Sequence, residues 1–166
     1  MTALAETVRF QWSAKEPEDL TNLDLAALNH ILCGFNASDL VRVHAAAYKD
    51  AASSLSLLRC PGMPGAAPVP GVGAPGADSG LPSLRALAAL AQSGDAFGDP
   101  GGWSAGTVRA IGCVLVGLPT AAVGRVPTAS MHAMLQALAG SEQAVIRHCL
   151  YGTPVIAQVR VNALLP

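Results

Sequence analysis

The sequence predicts an all-α protein, its short helices stacked as a solenoid and interrupted by a disordered Pro/Gly-rich loop. Three observations carry that expectation. Apolar residues recur at helical spacing on both sides of residues 61–82. That segment holds six of the 12 prolines and six of the 17 glycines, which remove backbone donors and resist ordering. Residues 28–48 also align without gaps on residues 111–131, 83 positions later, with Leu32/Leu115, Gly34/Gly117, Arg42/Arg125, Val43/Val126 and Ala46/Ala129 identical. The shared unit is a helix, a glycine stop, an apolar residue, a short second helix and the start of a third. Repeated units that each bury a face on the next are how helical solenoids are built.

The elements follow in order. Leu23, Ala27, Leu28, Ile31 and Leu32 line one stripe of a first helix, with Thr21 as its N-cap, Asp24 in its first turn and Gly34 as its stop. Asn36 and Ser38 offer caps for a short helix carrying Leu40 and Val43, and a longer helix is expected over 45–58. Beyond the loop, Leu84, Leu87, Ala88 and Ala91 repeat the spacing up to Gly94. Ser104 precedes a helix with Val108, Ile111 and Leu115 on its apolar side. Thr128 and Ser141 are expected to cap two more. That makes about seven short helices, and only residues 155–161 alternate enough to suggest an edge strand or an unpacked tail. The organisation expected is therefore a helical segment over 1–60, the loop over 61–82, a second helical segment over 83–150 and an irregular tail over 151–166.

Composition narrows the function classes. The chain has 166 residues, 51% hydrophobic and 13% charged, with a net charge of -1. A chain of this length suits one domain and can bury roughly 70% of its unfolded surface. Near-neutral charge argues against a nucleic-acid footprint or a polybasic membrane patch. Residues 1–10 include Glu6 and Arg9 and show no apolar signal region, and the uncharged run before Arg125 is broken by Gly112, Gly117 and Pro119. On that reading the chain is either cytosolic or a fragment whose signal and anchor lie elsewhere.

Each candidate motif has a plainer structural explanation. Gly102-Trp103-Ser104-Ala105-Gly106 matches the nucleophile elbow, but a turn rather than a strand precedes it, so Ser104 reads better as a helix cap. Gly71-Val72-Gly73-Ala74-Pro75-Gly76 matches a dinucleotide fingerprint without the flanking strand and helix, and low complexity accounts for it. His30 with Cys33, and His148 with Cys149, lack the further ligands a zinc site needs. Glu16, Glu18 and Asp19 read as complements to a helix dipole. No catalytic residue, cofactor or metal is expected. Asn36-Ala37-Ser38 is an N-glycosylation acceptor if the chain is secreted, and a helix cap in any case. Four cysteines (Cys33, Cys60, Cys113, Cys149) allow three complete pairings, and four buried thiols are equally consistent with the residues alone.

Residues 25–35 (Leu-Ala-Ala-Leu-Asn-His-Ile-Leu-Cys-Gly-Phe), followed by Ser38-Asp39-Leu40 and Cys60, resemble the C-terminal region of the stereocilin, otoancorin and mesothelin family. Ala96-Phe97-Gly98, Trp103, Ile111-Gly112, Gly117-Leu118-Pro119 and Val126-Pro127 continue the likeness, which covers roughly residues 21–146. The resemblance implies a superhelical, armadillo-like array at a cell surface or in extracellular matrix, working in adhesion without catalysis. It also implies a Cys33–Cys60 disulfide, with Cys113 and Cys149 left as free thiols. Departures are the reduction of an expected acidic pair to Ser38-Asp39, the 61–82 insertion, and nothing family-like after Arg147. The chain therefore reads as a fragment or a variant isoform.

The function expected is that of a non-enzymatic cell-surface or extracellular adhesion protein. Its partner is a protein, glycoprotein or matrix component, with no nucleic acid and no small-molecule substrate, and any membrane association comes through segments outside this chain. The alternative is an intracellular helical scaffold that binds peptides. Oxidation state separates the two, because structural disulfides persist outside the cytosol.

Overall fold

The structure is a computed structural model that describes residues 15–61, 63, 81–138 and 140–150. Among these residues there are eight α-helices, four 3-10 helices and no strand. The α-helices are α1 (Asn22–Leu28), α2 (Ala37–Leu40), α3 (Ala45–Leu55), α4 (Leu81–Ala91), α5 (Ala105–Ile111), α6 (Thr120–Val123), α7 (Thr128–Ala137) and α8 (Gly140–Leu150). The 3-10 helices are Pro17–Asp19, Asn29–Gly34, Pro100–Gly102 and Gly112–Gly117. The GxGxxG match and the 155–161 alternation lie outside the described residues.

Local chemistry explains how the helices start. The Thr21 hydroxyl accepts the Asp24 N–H, and the Asp24 carboxylate accepts the Thr21 N–H at 2.9 Å, which makes a complete capping box. Ser104 does the corresponding work for α5, accepting the Thr107 N–H at 3.2 Å. Lys15 also donates to Asp24 at 2.7 Å. That ion-paired bond, then the Thr21 hydroxyl and backbone, hold the Asp24 carboxyl down at about 2. A carboxylate with a lowered folded-state pKa contributes stability at neutral pH and loses it as pH falls from about 4 toward 2. Thr21→Ala is expected to cost about 1 kcal/mol at pH 7 in urea unfolding. Because the Asp24 N–H and its carboxylate both lose a partner, the deficit should shrink in acid. A deficit that grows below pH 4 would refute this account.

The structure shows how far the duplication goes. Pro17–Asp19, α1, Asn29–Gly34, α2 and α3 match Pro100–Gly102, α5, Gly112–Gly117, α6 and α7 with the same spacing as the sequence repeat. Even the special backbone recurs. Asn29 has φ 39° and ψ −117°, and Gly112 has φ 54° and ψ −126°. Positive φ is a region that asparagine and glycine tolerate best. In each unit the first helix packs on the third, α1 on α3 and α5 on α7. Each unit also ties the turn after its second helix back to its opening turn. Arg42 bridges Glu18 at 2.7 Å and Glu16 at 3.5 Å, and Arg125 bridges Asp99.

One continuous core joins the two units. It includes Leu25, Leu32, Leu40, Tyr48 and Leu55 from the first, and Trp103, Ile111, Leu115 and Met134 from the second. Helix α4 lies against both 3-10 segments that follow α1 and α5. Its buried Ser83 hydroxyl donates to the Cys33 and Phe35 carbonyls at 3.1 and 3.0 Å. Gly117 lets the chain pass against α4, since a Cβ there would lie 2.2 Å from the Leu84 carbonyl oxygen. The Trp103 indole N–H reaches the Phe97 and Gly98 backbone carbonyls at 3.2 Å, so the buried tryptophan has its donor satisfied.

Several local expectations change. The first helix divides at Asn29, where the positive φ ends α1 and opens a 3-10 segment. The helix expected over 45–58 stops at Leu55, because Ser56 and Leu58 turn back onto the Ser53 and Leu55 carbonyls and bring Cys60 toward Cys33. Pro127, not Thr128, occupies the cap of α7, and Ser141 lies inside α8. Helix α4 begins at Leu81, with Pro82 in its first turn, where a missing N–H costs nothing.

Candidate functional site

The cysteines are the first candidates. Cys33 and Cys60 sit at disulfide distance with Cα atoms 5.3 Å apart, compatible with the pairing the resemblance implies. The expectation of free thiols at Cys113 and Cys149 is corrected, because they form a second such pair with Cα atoms 5.8 Å apart. Each pair has the same task. It ties the 3-10 segment of one unit to the chain that follows that unit's third helix, which is a short loop after α3 and helix α8 after α7. The second pair was missed because the resemblance offered no counterpart. The signal was parity: once two of four cysteines are paired, the remaining two have each other.

Asn36 and Ser38 are exposed on the turn that opens α2. Asn36 occupies the N-cap with extended backbone, φ −68° and ψ 135°, but its side chain makes no capping hydrogen bond. The cap role expected for its side chain is therefore absent. The residue is exposed on a turn, the setting in which an acceptor sequon is used.

A cleft of about 350 Å³ lies where the two units meet. Ser53, Ser56 and Leu57 line it from the end of α3, and Gly106, Arg109 and Ala110 from α5. Helix α8 closes one side, where Glu142 accepts a 2.8 Å ion-paired bond from Arg109. The carbonyl of Ser56, one of the lining residues, accepts the Cys113 N–H at 2.7 Å. This backbone contact requires glycine at 112, since a Cβ there would lie 2.1 Å from that carbonyl oxygen.

The remaining sequence candidates do not converge. Ser104 is an exposed helix cap beside the Thr107 hydroxyl. His30 and His148 are exposed, while their neighbours Cys33 and Cys149 belong to the two cysteine pairs. Among the described residues no group of three or more His, Cys, Asp or Glu side chains could hold a metal ion. No helix among them is long and apolar enough to cross a membrane. Tyr48 is fully buried, and desolvation pushes its phenol pKa up, so it stays neutral at the edge of the Phe97 ring.

Fold and site together define a class: a helical protein built from two equivalent units, each stapled by a cysteine pair. A scan of family models, a search of curated proteins and a search of solved structures each return no match to the chain.

Proposed function

We propose that the chain is a non-enzymatic adhesion module of a cell surface or extracellular matrix, with its helical units stacked as a superhelical solenoid that binds a glycoprotein or matrix partner. The single observation that carries the reading is the pair of disulfide-distance cysteine couples, one in each unit. Structural disulfides form and persist in oxidising compartments and are rare in the cytosol. The exposed Asn36-Ala37-Ser38 turn supports the same compartment. The duplicated unit supports the solenoid, in which each repeat buries a face on its neighbour. The resemblance to the stereocilin, otoancorin and mesothelin family supplies the adhesive role.

The test is to pass the chain through the secretory pathway of cultured animal cells. Peptide-N-glycosidase treatment is expected to lower its apparent mass by one glycan, and Asn36→Gln is expected to abolish that shift. Non-reducing peptide maps should recover the Cys33–Cys60 and Cys113–Cys149 links. The purified protein should bind immobilised mucin-type glycoprotein or cell-derived matrix, and lose that binding after reduction and alkylation. An unmodified Asn36 together with four alkylatable thiols would overturn the reading in favour of an intracellular peptide-binding scaffold.

A further inference from the structure

We infer that the first unit's 3-10 segment, Asn29–Gly34, is the docking surface for residues 1–8 of this chain, which form a leading helix there as α4 does for the second unit. Helix α4 precedes the opening turn of the second unit and packs along Gly112–Gly117. It has no counterpart among the described residues of the first unit. The 83-residue offset that relates the units carries back without a gap from the opening turns to Met1, and it places residues 1–8 on residues 84–91. Ala3, Leu4 and Ala5 are identical to Ala86, Leu87 and Ala88. The connector over 9–16 has the length of the one over 92–99 that joins α4 to Pro100, so the reach is the same.

The match follows burial and not composition alone. In α4, Leu84, Ala86, Leu87, Ala88, Leu90 and Ala91 are buried, while Arg85 and Ala89 are exposed. At the buried positions the first residues of the chain offer Met1, Ala3, Leu4, Ala5, Thr7 and Val8, of which only Thr7 is polar. Thr7 falls at the position of Leu90, which at 7% is the most exposed of the six. At the two exposed positions stand Thr2 and Glu6. Residues 1–8 therefore carry an apolar face with the spacing of α4 and a polar face opposite. The receiving segment carries the matching signature. Neither Gly34 nor Gly117 has a positive φ, so backbone conformation does not call for glycine at either position. At 117 the demand comes from α4, because an added Cβ would lie 2.2 Å from the Leu84 carbonyl oxygen. Gly34 is the counterpart of Gly117, and Met1 is the counterpart of Leu84. Val114 and Gly117 are buried, whereas Ile31 and Gly34 in the same places are only partly so.

The inference rests on the duplicated unit and not on adhesion, so a failed matrix-binding assay leaves it standing and its own failure leaves the adhesive reading standing. Amide hydrogen exchange on the full oxidised chain tests it. The N–H groups of residues 5–8 are those that bond within such a helix, and they are expected to exchange about tenfold or more slowly than in a free peptide of the same sequence. Leu4→Asp should return them to the free-peptide rate and speed exchange at residues 31–35, because the helix and its seat lose each other. Residues 86–91 should keep their wild-type rates, which is the internal control for an intact fold. Glu6→Lys, at an outward position, should change none of these rates. Free-peptide exchange at residues 5–8 of the wild-type chain would overturn the inference, whatever the variants do. So would equal effects of Leu4→Asp and Glu6→Lys, or a Leu4→Asp effect that leaves residues 31–35 unchanged.

Discussion

Gly112→Ala is expected to destabilise the folded chain by about 3 kcal/mol or more, read as a lowered urea midpoint. The added methyl would lie 2.1 Å from the Ser56 carbonyl oxygen and 2.8 Å from its Cα, and both are backbone atoms that no rotamer change can move aside. Overpacking of a filled interior costs about 1–3 kcal/mol, and a left-handed backbone adds about 1–2 kcal/mol for a residue with a Cβ. Separating the units would also break the 2.7 Å Cys113–Ser56 bond, leaving a buried N–H without its acceptor. Asn29 holds nearly the same backbone angles in the first unit, so the close approach, rather than the dihedral alone, dominates the cost. Gly102→Ala is the control, because a Cβ there meets nothing within 4 Å. Equal losses in the two variants would show that the inter-unit contact is not tight.

Reduction should have the larger effect. The two cysteine couples span separations of 27 and 36 residues. Chain-entropy reasoning assigns each closure about 3–4 kcal/mol, and so about 7 kcal/mol for both. Domains are stable by only about 5–15 kcal/mol in total. A reductant is therefore expected to lower the melting temperature by tens of degrees and to leave much of the chain unfolded at 37 °C. Cys113→Ser/Cys149→Ser should lose stability comparable to Cys33→Ser/Cys60→Ser, because each link secures one unit. A melting temperature that is the same with and without reductant, with both links verified beforehand, would contradict the assigned role of the pairs.

The repeat was legible in residues 28–48 and 111–131, and the structure extends it to the opening turns. The extension had a signal. Glu16 and Pro17 stand where Asp99 and Pro100 stand, and Arg42 and Arg125 pair back to those turns. Hydrophobic spacing alone overlooks it, because an exposed ion pair leaves no apolar period. The capping of α1 and α5 by Thr21 and Ser104 was readable, since a cap depends on residues three positions away. Thr128 and Ser141 misled, because a hydroxyl near a helix start does not decide which residue turns the chain. Pro127 does so for α7, with its ring-restricted φ.

By itself the sequence determined helical character, the place of most helices and the existence of two equivalent units. Those properties follow from interactions within a few residues and from a period that repeats along the chain. Only the tertiary structure decided the partnership of Cys113 with Cys149, the cleft between α3 and α5, and which leucines of α1 are buried. Leu23 and Leu25 look alike in a hydrophobic pattern, yet one is 75% exposed and the other is fully buried. The difference is set by elements far away in sequence that pack against one face of α1 and leave the other open.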